Sequence, residues 1–192
     1  DTNSYAVYFN AGYDLSEKLK VGVGARYSRD EKDATALFPG FNGTDFESAS
    51  FDAITADANI TYALDDNATI YAQIQRGYQT GGFPPRPFVG GNEAFEPFDK
   101  QTALNYEVGY KGQVSDNLRV LFSAFWTIYD DLALNISDPT IEGFNTFVEN
   151  AGKSRSRGIE LETQFAYEGL FLNGSVGYLD AEITEVDLSG AE

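Results

Sequence analysis

The residues of this sequence that are able to do chemistry are mostly carboxylates, because the 192-residue chain contains no His and no Cys. Glu160 and Glu162 stand two positions apart, which places both on one face of an extended strand. Paired carboxylates can serve as general acid and base, but the sequence offers no orienting His for them. The composition also excludes His or thiolate metal sites and Ser–His or Cys–His catalysis. We therefore predict no catalytic residue, no metal site and no cofactor.

A second group of residues has the chemistry of a binding loop. Gly81-Gly82 lets the backbone turn sharply, and the prolines that follow restrict the chain. Residues 80–98 also carry several Phe side chains and the cation Arg86. The candidate ligand contacts are Tyr78, Phe83, Arg86 and Phe88. A loop cluster that packs only on itself is the other interpretation, and the sequence does not decide between them.

The net charge of the chain limits the kinds of partner that we expect it to bind. The chain has 30 acidic and 13 basic residues and a formal charge of −17, which argues against a nucleic-acid partner. Much of this excess falls in residues 30–50, 80–100, 131–150 and 180–192. Solvated loops explain it most simply. Bridging of lipopolysaccharide through divalent cations and a preference against strongly anionic ligands are the alternatives.

Strict alternation of apolar and polar residues predicts the elements that position these groups. One face of each segment is apolar or aromatic apart from Thr102, Thr163 and Gly174, and it carries no charge. The segments are 5–13, 19–27, 54–62, 68–75, 102–110, 118–128, 159–167 and 170–178. The interleaved face is polar, and we expect it to face a water-filled lumen. Its candidate lumen residues are Asp57, Gln73, Glu107, Arg119, Glu160 and Glu162.

A soluble β-sandwich would show the same alternation, but three features favour a transmembrane β-barrel. The segments approach the roughly 9–11 residues with which a tilted strand crosses a bilayer, whereas soluble strands usually have about 5–6. Short connections alternate with long ones along the chain. Outer-membrane barrels show the same alternation between short periplasmic turns and long extracellular loops. The short ones are 14–18, 63–67, 111–117 and 168–169, and the long ones are 28–53, 75–101 and 129–158. A Tyr precedes every short turn, as in an interfacial girdle: Tyr13, Tyr62, Tyr110 and Tyr167.

The topology indicates a sector of a larger barrel. If the short turns face the periplasm, eight strands begin and end at the outer surface, whereas single-chain bacterial barrels normally begin and end in the periplasm. The fold class we predict is therefore all-β, an antiparallel transmembrane β-barrel sector of about eight strands in four short-turn hairpins.

Three stretches carry a resemblance to a known family. Tyr71–Phe83 (YAQIQRGYQTGGF), Tyr106–Lys111 (YEVGYK) and Asn150–Glu162 (NAGKSRSRGIELE) resemble strand segments of TonB-dependent outer-membrane receptors of the siderophore-receptor type. Their order and spacing are similar to the second half of the receptor barrel. The resemblance covers nearly the whole chain. Residues 1–192 are thereby expected to be part of the C-terminal β-barrel domain, with the plug domain absent from them.

The resemblance implies a barrel of about 22 strands in the outer membrane of a Gram-negative bacterium. It implies active transport of a scarce ligand, with an iron–siderophore complex as the family's default, energised by TonB–ExbB–ExbD through the plug and TonB box. The expected partners are that complex, outer-membrane lipid and lipopolysaccharide, and a small-molecule metal chelate. A passive porin or small structural barrel is the alternative function. An outer-membrane enzyme is a further class, which the missing His removes within this chain.

Three cations of the last stretch, Lys153, Arg155 and Arg157, have two interpretations. We favour ion pairing between neighbouring strands in register. The alternative is contact with lumen acids such as Glu160 and Glu162, or with carboxylates of the plug.

Overall fold

The computed structural model describes residues 1–37, 44–84, 97–137 and 146–186 of the chain. All named elements are β-strands, and they form one antiparallel sheet in chain order. The strands are β1 Thr2–Asp14, β2 Leu19–Leu37, β3 Thr44–Asp65, β4 Ala68–Gln79, β5 Gln101–Ser115, β6 Leu118–Ser137, β7 Thr146–Tyr167 and β8 Leu170–Val186. No helix in the described ranges is long and apolar enough to cross a membrane. The predicted all-β fold with four short-turn hairpins is confirmed.

The sheet is open in the described part of the chain. Each strand pairs with its neighbours in sequence, and β1 and β8 each pair on one side only. This arrangement is a consecutive sector of a barrel wall.

The register places the predicted apolar faces of all eight strands side by side. One row of directly opposed residues crosses the whole sheet and consists of Tyr13, Val21, Ile60, Ala72, Val108, Ala124, Ile159 and Tyr178. Its large side chains remain exposed, with Ile60 at 43% and Ile159 at 50%. A single-layer sheet with so large an exposed apolar face needs an apolar environment to cover it. A bilayer supplies that environment, whereas a soluble sandwich would have needed a second sheet against this face.

The interleaved face is polar along a matching row. Asn10, Gly24, Asp57, Gln75, Asn105, Thr127 and Ser156 are successive direct partners from β1 to β7. Thr127 donates its hydroxyl to Asn105 Oδ1 at 2.8 Å, one bond across this row.

Most of the long connections were predicted to be longer than they are in the structure. β2 and β3 remain paired from Tyr27↔Ile54 up to Leu37↔Thr44, so much of 28–53 is strand. β6 and β7 likewise pair up to Ser137↔Thr146, inside the predicted loop 129–158. Beyond the apolar belt both faces of a strand meet water, so alternation disappears although the backbone ladder continues. Hydropathy therefore located only the membrane-spanning part of each strand.

The short turns are also tighter than predicted. β3 and β5 run on to Asp65 and Ser115, and a bulge precedes each turn, between Ala63 and Asp65 and between Gln113 and Ser115. Glu168 and Gly169 form the predicted turn of the last hairpin, and both have positive φ, 44° and 88°. Positive φ at both central residues is the geometry of a type I′ hairpin turn, in which Gly is favoured.

Candidate functional site

The candidate site lies at the end of the sheet where the strands run beyond the apolar belt. β3 pairs with β4 only up to Ala56↔Arg76, whereas β4 continues to pair with β5 up to Gln79↔Gln101. The upper part of β3 therefore has no strand on its β4 side. Residues 78–84 and 97–100, which we call the stem, lie near this edge. The stem is closed by a bridge in which Gly82 N–H donates to Phe98 O at 3.1 Å and Phe98 N–H donates to Gly82 O at 2.9 Å.

A buried carboxylate on β2 holds the first half of the stem. Asp30 is 8% exposed. It accepts hydrogen bonds from Ser4 Oγ at 2.6 Å and from the Tyr78 hydroxyl at 2.9 Å. The bond from Ser4 is the main cause that lowers the pKa of Asp30, with further contributions from Tyr78, Thr80 and Lys32 against the opposing effect of burial. Asp30 is therefore ionised at neutral pH, and both bonds are charge-assisted.

A lysine on the same strand holds the turn of the stem. Lys32 Nζ donates to the Gly81 carbonyl at 2.5 Å and lies 5.7 Å from the centre of the Phe51 ring. Phe51 is 6% exposed and is one of the few buried apolar side chains in the described ranges. A Cβ at Gly81 would collide with the Phe98 carbonyl and the Phe51 ring. Gly81 is thus required because the backbone passes directly over neighbouring atoms.

An asparagine on β7 fixes the second half of the stem. Asn150 Oδ1 accepts from Asp99 N–H at 2.6 Å, and its Nδ2 donates to Asp99 O at 2.9 Å and to Asp131 O at 2.8 Å. Asp131 has φ 60° and interrupts the β6–β7 register. Asn150, the first residue of the third motif, therefore links the stem, the β6 irregularity and β7.

A hollow of about 490 Å³ opens beside the stem. Lys32, Gln79, Thr80, Phe83 and Phe98 contribute to its lining, together with Asp1, Thr2 and Asp33 from the ends of β1 and β2. Aromatic rings, hydroxyl, amide and carboxylate groups and an ammonium group meet there, which suits a ligand with both apolar and polar parts.

Two of the four candidate ligand contacts can be located. Tyr78 contacts Asp30 through its hydroxyl, and Phe83 lines the hollow. Arg86 and Phe88 lie outside the described residues. The structure thus gives Tyr78 an anchoring contact within the protein and places Phe83 in the lining of the hollow.

The candidate lumen residues are spread along the polar face without forming one site. Asp57 lies opposite Gln75, and Gln73 lies between Asn59 and Glu107. Arg119 is near the short-turn end, opposite Gln113 and Gln164.

The carboxylate pair of β7 lies further along the same face. Glu160 pairs with Ser123 and Glu162 with Leu121. In the described ranges no group of three or more acidic residues is placed to hold a metal ion.

Two glycines of the family-like motifs lie on the polar face, each beneath an aromatic ring of the preceding strand. A Cβ at Gly109 would collide with the ring of Tyr71, whose hydroxyl donates to Glu107 at 2.6 Å. A Cβ at Gly158 would likewise collide with the ring of Phe125, its direct partner on β6. The motif glycines therefore allow aromatic side chains to lie flat across the polar face.

The alternative contact of Lys153, Arg155 and Arg157 with Glu160 and Glu162 is wrong. These cations have the parity of Ile159 in β7, so they lie on the face opposite to the two glutamates. They pair across the ladder instead: Lys153 with Glu185 at 3.0 Å, Arg155 with Glu182, and Arg157 with Asp180 at 2.8 Å. The favoured prediction of ion pairing in register is confirmed. All of these side chains are about half exposed, so each pair adds little stability.

Removing the Tyr78 hydroxyl should loosen the stem. Tyr78→Phe deletes one charge-assisted bond to Asp30 while the ring remains, which costs about 1.5–3 kcal/mol locally. Hydrogen exchange measured by mass spectrometry on the full-length protein at neutral pH should become faster in residues 78–84. Tyr178→Phe on the apolar face is the matched control. Unchanged protection in the stem, or an equal change in the control, would show that the bond does not anchor it.

The chain belongs to the family described as "TonB dependent receptor-like, beta-barrel", whose model matches residues 1–191. It is 28% identical over 165 residues to the pesticin receptor of Yersinia enterocolitica, which covers 84% of this chain and 23% of that receptor. It is 30% identical over 170 residues to the ferric-pyoverdine M114 receptor PbuA of Pseudomonas sp., which covers 82% of this chain and 18% of PbuA. The chain therefore spans about a quarter or less of these relatives.

Solved structures show the same fold. The crystal structure of the ferric yersiniabactin uptake receptor FyuA from Yersinia pestis matches with a TM-score of 0.77 at 23% identity, over 95% of this chain and 27% of that one. The siderophore receptor PiuA from Acinetobacter baumannii matches with a TM-score of 0.77 at 21% identity, over 97% of this chain and 26% of that one. The predicted barrel architecture and its outer-membrane location are confirmed.

Proposed function

We propose that residues 1–192 form part of the barrel of a receptor that binds an iron–siderophore complex at the cell surface and imports it. The observation that carries this proposal is the family match over residues 1–191, together with relatives named as receptors for ferric pyoverdine and for pesticin. Transport through such a receptor uses energy from TonB–ExbB–ExbD. Its surroundings are outer-membrane lipid and lipopolysaccharide. The function that we propose is transport and includes no enzymatic activity.

The stem is the part of this chain that we assign to the ligand. It is held at one end by Asp30 and Lys32 on β2 and at the other by Asn150 on β7, so both of its segments have a fixed base. A fixed base lowers the entropy cost of ordering a binding loop. The hollow beside it carries Phe83 and Phe98 as apolar contacts and Thr80 and Gln79 as polar ones. Siderophores combine carbon skeletons with oxygen donors, which corresponds to this mixture.

Truncating the loop contacts should weaken ligand binding without affecting folding. Phe83→Ala removes a ring from the hollow, and Arg86→Ala removes the cation that we expect to contact a carboxylate or carbonyl group of the ligand. Each change should raise the Kd for the ferric chelate by about tenfold, as truncation of a binding hot spot does. The measurement is equilibrium binding of ferric yersiniabactin and ferric pyoverdine to the full-length receptor.

Matched controls are Phe171→Ala and Arg119→Ala, which remove the same side-chain types near the short-turn end of the sheet. Heat-modified gel mobility and surface display confirm that each variant is folded. Unchanged affinity in both loop variants would show that the ligand is held by parts of the receptor beyond this loop.

A further inference from the structure

The polar face of β1, β2 and β3 carries a second hollow, which we call the lower hollow. It has a volume of about 270 Å³, and its lining includes Tyr8, Asn10, Arg26, Thr55 and Asp57. Tyr8, Arg26 and Thr55 are direct partners in one row of the sheet. The next row toward the short turns consists of Asn10, Gly24 and Asp57. Both rows lie between residues of the apolar belt, so the lower hollow is at the depth of the membrane.

Two opposite charges line the lower hollow without neutralising each other. Asp57 lies two positions along β3 from the direct partner of Arg26, a diagonal relation that separates their backbones by about 7–8 Å. Arg26 directs Nε to Ser28 Oγ at 3.0 Å, which turns it toward the stem. No ion pair in the described ranges includes Arg26 or Asp57. A guanidinium and a carboxylate therefore line one cavity, and each has hydrogen-bonding capacity left for an occupant.

A glycine on β2 shapes the floor of the lower hollow. A Cβ at Gly24 would collide with the side-chain oxygens of Asp57 and Asn10, so these two side chains lean over Gly24 from the neighbouring strands. Gly24 thus allows them to lie along the sheet, because it offers no side chain that would hold them away. The lower hollow is consequently bordered by oxygen acceptors at its floor and by the N–H donors of Arg26 on the side of the stem.

The lower hollow lies beneath the hollow beside the stem, along the same two strands. Thr2 and Lys32 are direct partners that line the hollow beside the stem, and Tyr8 and Arg26 are direct partners that line the lower hollow. The two rows are six residues apart on each strand, which corresponds to about 20 Å. The two hollows therefore form a series that leads from the outer end of β1 and β2 to the depth of the membrane.

We propose that the lower hollow is a second binding site for the imported chelate, occupied after the chelate leaves the hollow beside the stem. It suits a chelate built from amino acids, which carries both carboxylate and amino or amide groups. Arg26 binds the carboxylate through paired N–H donors, and Asp57 and Asn10 accept hydrogen bonds from the N–H groups. The inference rests on the proposed import function and adds to it a site inside the barrel and the chemical class of the ligand.

The test separates capture at the cell surface from passage through the barrel. Arg26→Gln with Asp57→Asn in the full-length receptor removes both charges of the lower hollow at nearly constant size. The Kd for ferric pyoverdine and ferric yersiniabactin is measured on cells without TonB, and the initial rate of uptake on cells with TonB. The Kd should stay unchanged because the hollow beside the stem is intact. The rate of uptake should fall by about tenfold, since two charge-assisted contacts are lost.

The matched control removes an equivalent pair of charges elsewhere on the polar face. Arg119→Gln with Glu162→Gln serves this purpose, because these residues of β6 and β7 have the same diagonal relation. This control should leave both the Kd and the rate of uptake unchanged. Arg26→Lys with Asp57→Glu keeps both charges and should restore most of the uptake. Sensitivity of the cells to a large antibiotic that the intact outer membrane excludes reports a displaced plug, and it should not rise in the uncharged double variant.

A second comparison tests the class of ligand. The chelate that is imported is compared with a derivative in which its free carboxyl and amino groups are blocked as amides. Blocking should slow uptake by the unchanged receptor and should have no further effect in the uncharged double variant, because the two changes remove the same contacts. An imported chelate that carries neither group, or additive effects of the two changes, would overturn the assigned class of ligand.

The remaining outcomes decide whether the lower hollow is a site for the chelate at all. Normal uptake in the uncharged double variant, a Kd raised as much as uptake is lowered, or increased antibiotic sensitivity would each overturn the proposal. The last of these would show that the two charges hold the plug. If the unchanged receptor imports neither chelate, the proposed import function fails and this inference fails with it, so the two kinds of failure are distinguishable.

Discussion

Residues 1–192 expressed alone are expected not to form a closed, heat-resistant barrel. In the described part of the chain β1 and β8 each pair on one side only, so each leaves a row of backbone N–H and C=O groups without partners. A bilayer offers such groups no water, and each one left unpaired costs several kcal/mol. We therefore expect no folded barrel at all from residues 1–192 alone, and not a barrel of lower stability. The measurement is refolding into detergent micelles followed by gel electrophoresis without boiling.

The full-length receptor refolded in the same way is the control, and it should migrate as a compact band that shifts on boiling. The 192-residue chain should migrate at one position with or without boiling and should be digested by protease. A compact, protease-resistant monomer that shifts on boiling would instead support a small, self-contained barrel.

Arginine on the apolar face should be far more damaging than arginine on the polar face. Ala72 lies between Ile60 and Val108 inside the apolar belt, whereas its neighbour Gln73 lies between Asn59 and Glu107. Ala72→Arg should cost about 2–4 kcal/mol, because the guanidinium would enter hydrocarbon. Gln73→Arg should cost much less, because that side chain is expected to meet water and a carboxylate. The free energy of folding of the intact receptor into lipid vesicles, from denaturant titration, measures both.

The Gln73 variant is the matched control for the Ala72 variant, since both introduce the same side chain into the same strand. Penalties of equal size would contradict the assignment of the apolar face to lipid.

The sequence predicted the membrane part of the fold well because each transmembrane strand has one face in lipid and one in water. That difference produces the alternation from which all eight strands could be located. It vanishes beyond the belt, where Asp30, Lys32 and Phe51 lie on strand extensions that were predicted as loop. The length of a strand above the membrane depends on backbone pairing, and this pairing does not change the hydropathy pattern of the sequence.

The candidate site was predictable only in part. Phe83 was predicted as a ligand contact because its loop is rich in aromatic residues and glycine; the structure places it in the lining of the hollow, and its contact with a ligand stays a prediction. Asp30 and Lys32 were missed because their role depends on a stem that is distant in sequence. Asn150 carried a signal as the first residue of a family-like motif, but its bonds to Asp99 and Asp131 depend on the register of β6 and β7.

Ion pairing of Lys153, Arg155 and Arg157 between strands in register was the favoured prediction and is confirmed, whereas the alternative contact with Glu160 and Glu162 is wrong. Strand parity alone separates these cations from Glu160 and Glu162, because side chains an odd number of positions apart point to opposite faces. Their true partners, Glu185, Glu182 and Asp180, lie on β8, which was predicted to end at residue 178. The partners themselves could not be named from the sequence, because the predicted strand ended before them.

Energy-dependent uptake of a ferric chelate tests the central claim most directly. Cells that lack their own siderophore receptors and express the full-length receptor are supplied with radioactive iron as ferric yersiniabactin or ferric pyoverdine, with TonB present or deleted. We predict that iron accumulates from at least one of these chelates when TonB is present, and that the TonB deletion reduces accumulation to the level of cells without the receptor. Accumulation that is equal with and without TonB would identify a passive pore, and the absence of accumulation from either chelate would contradict the proposed transport of iron–siderophore complexes.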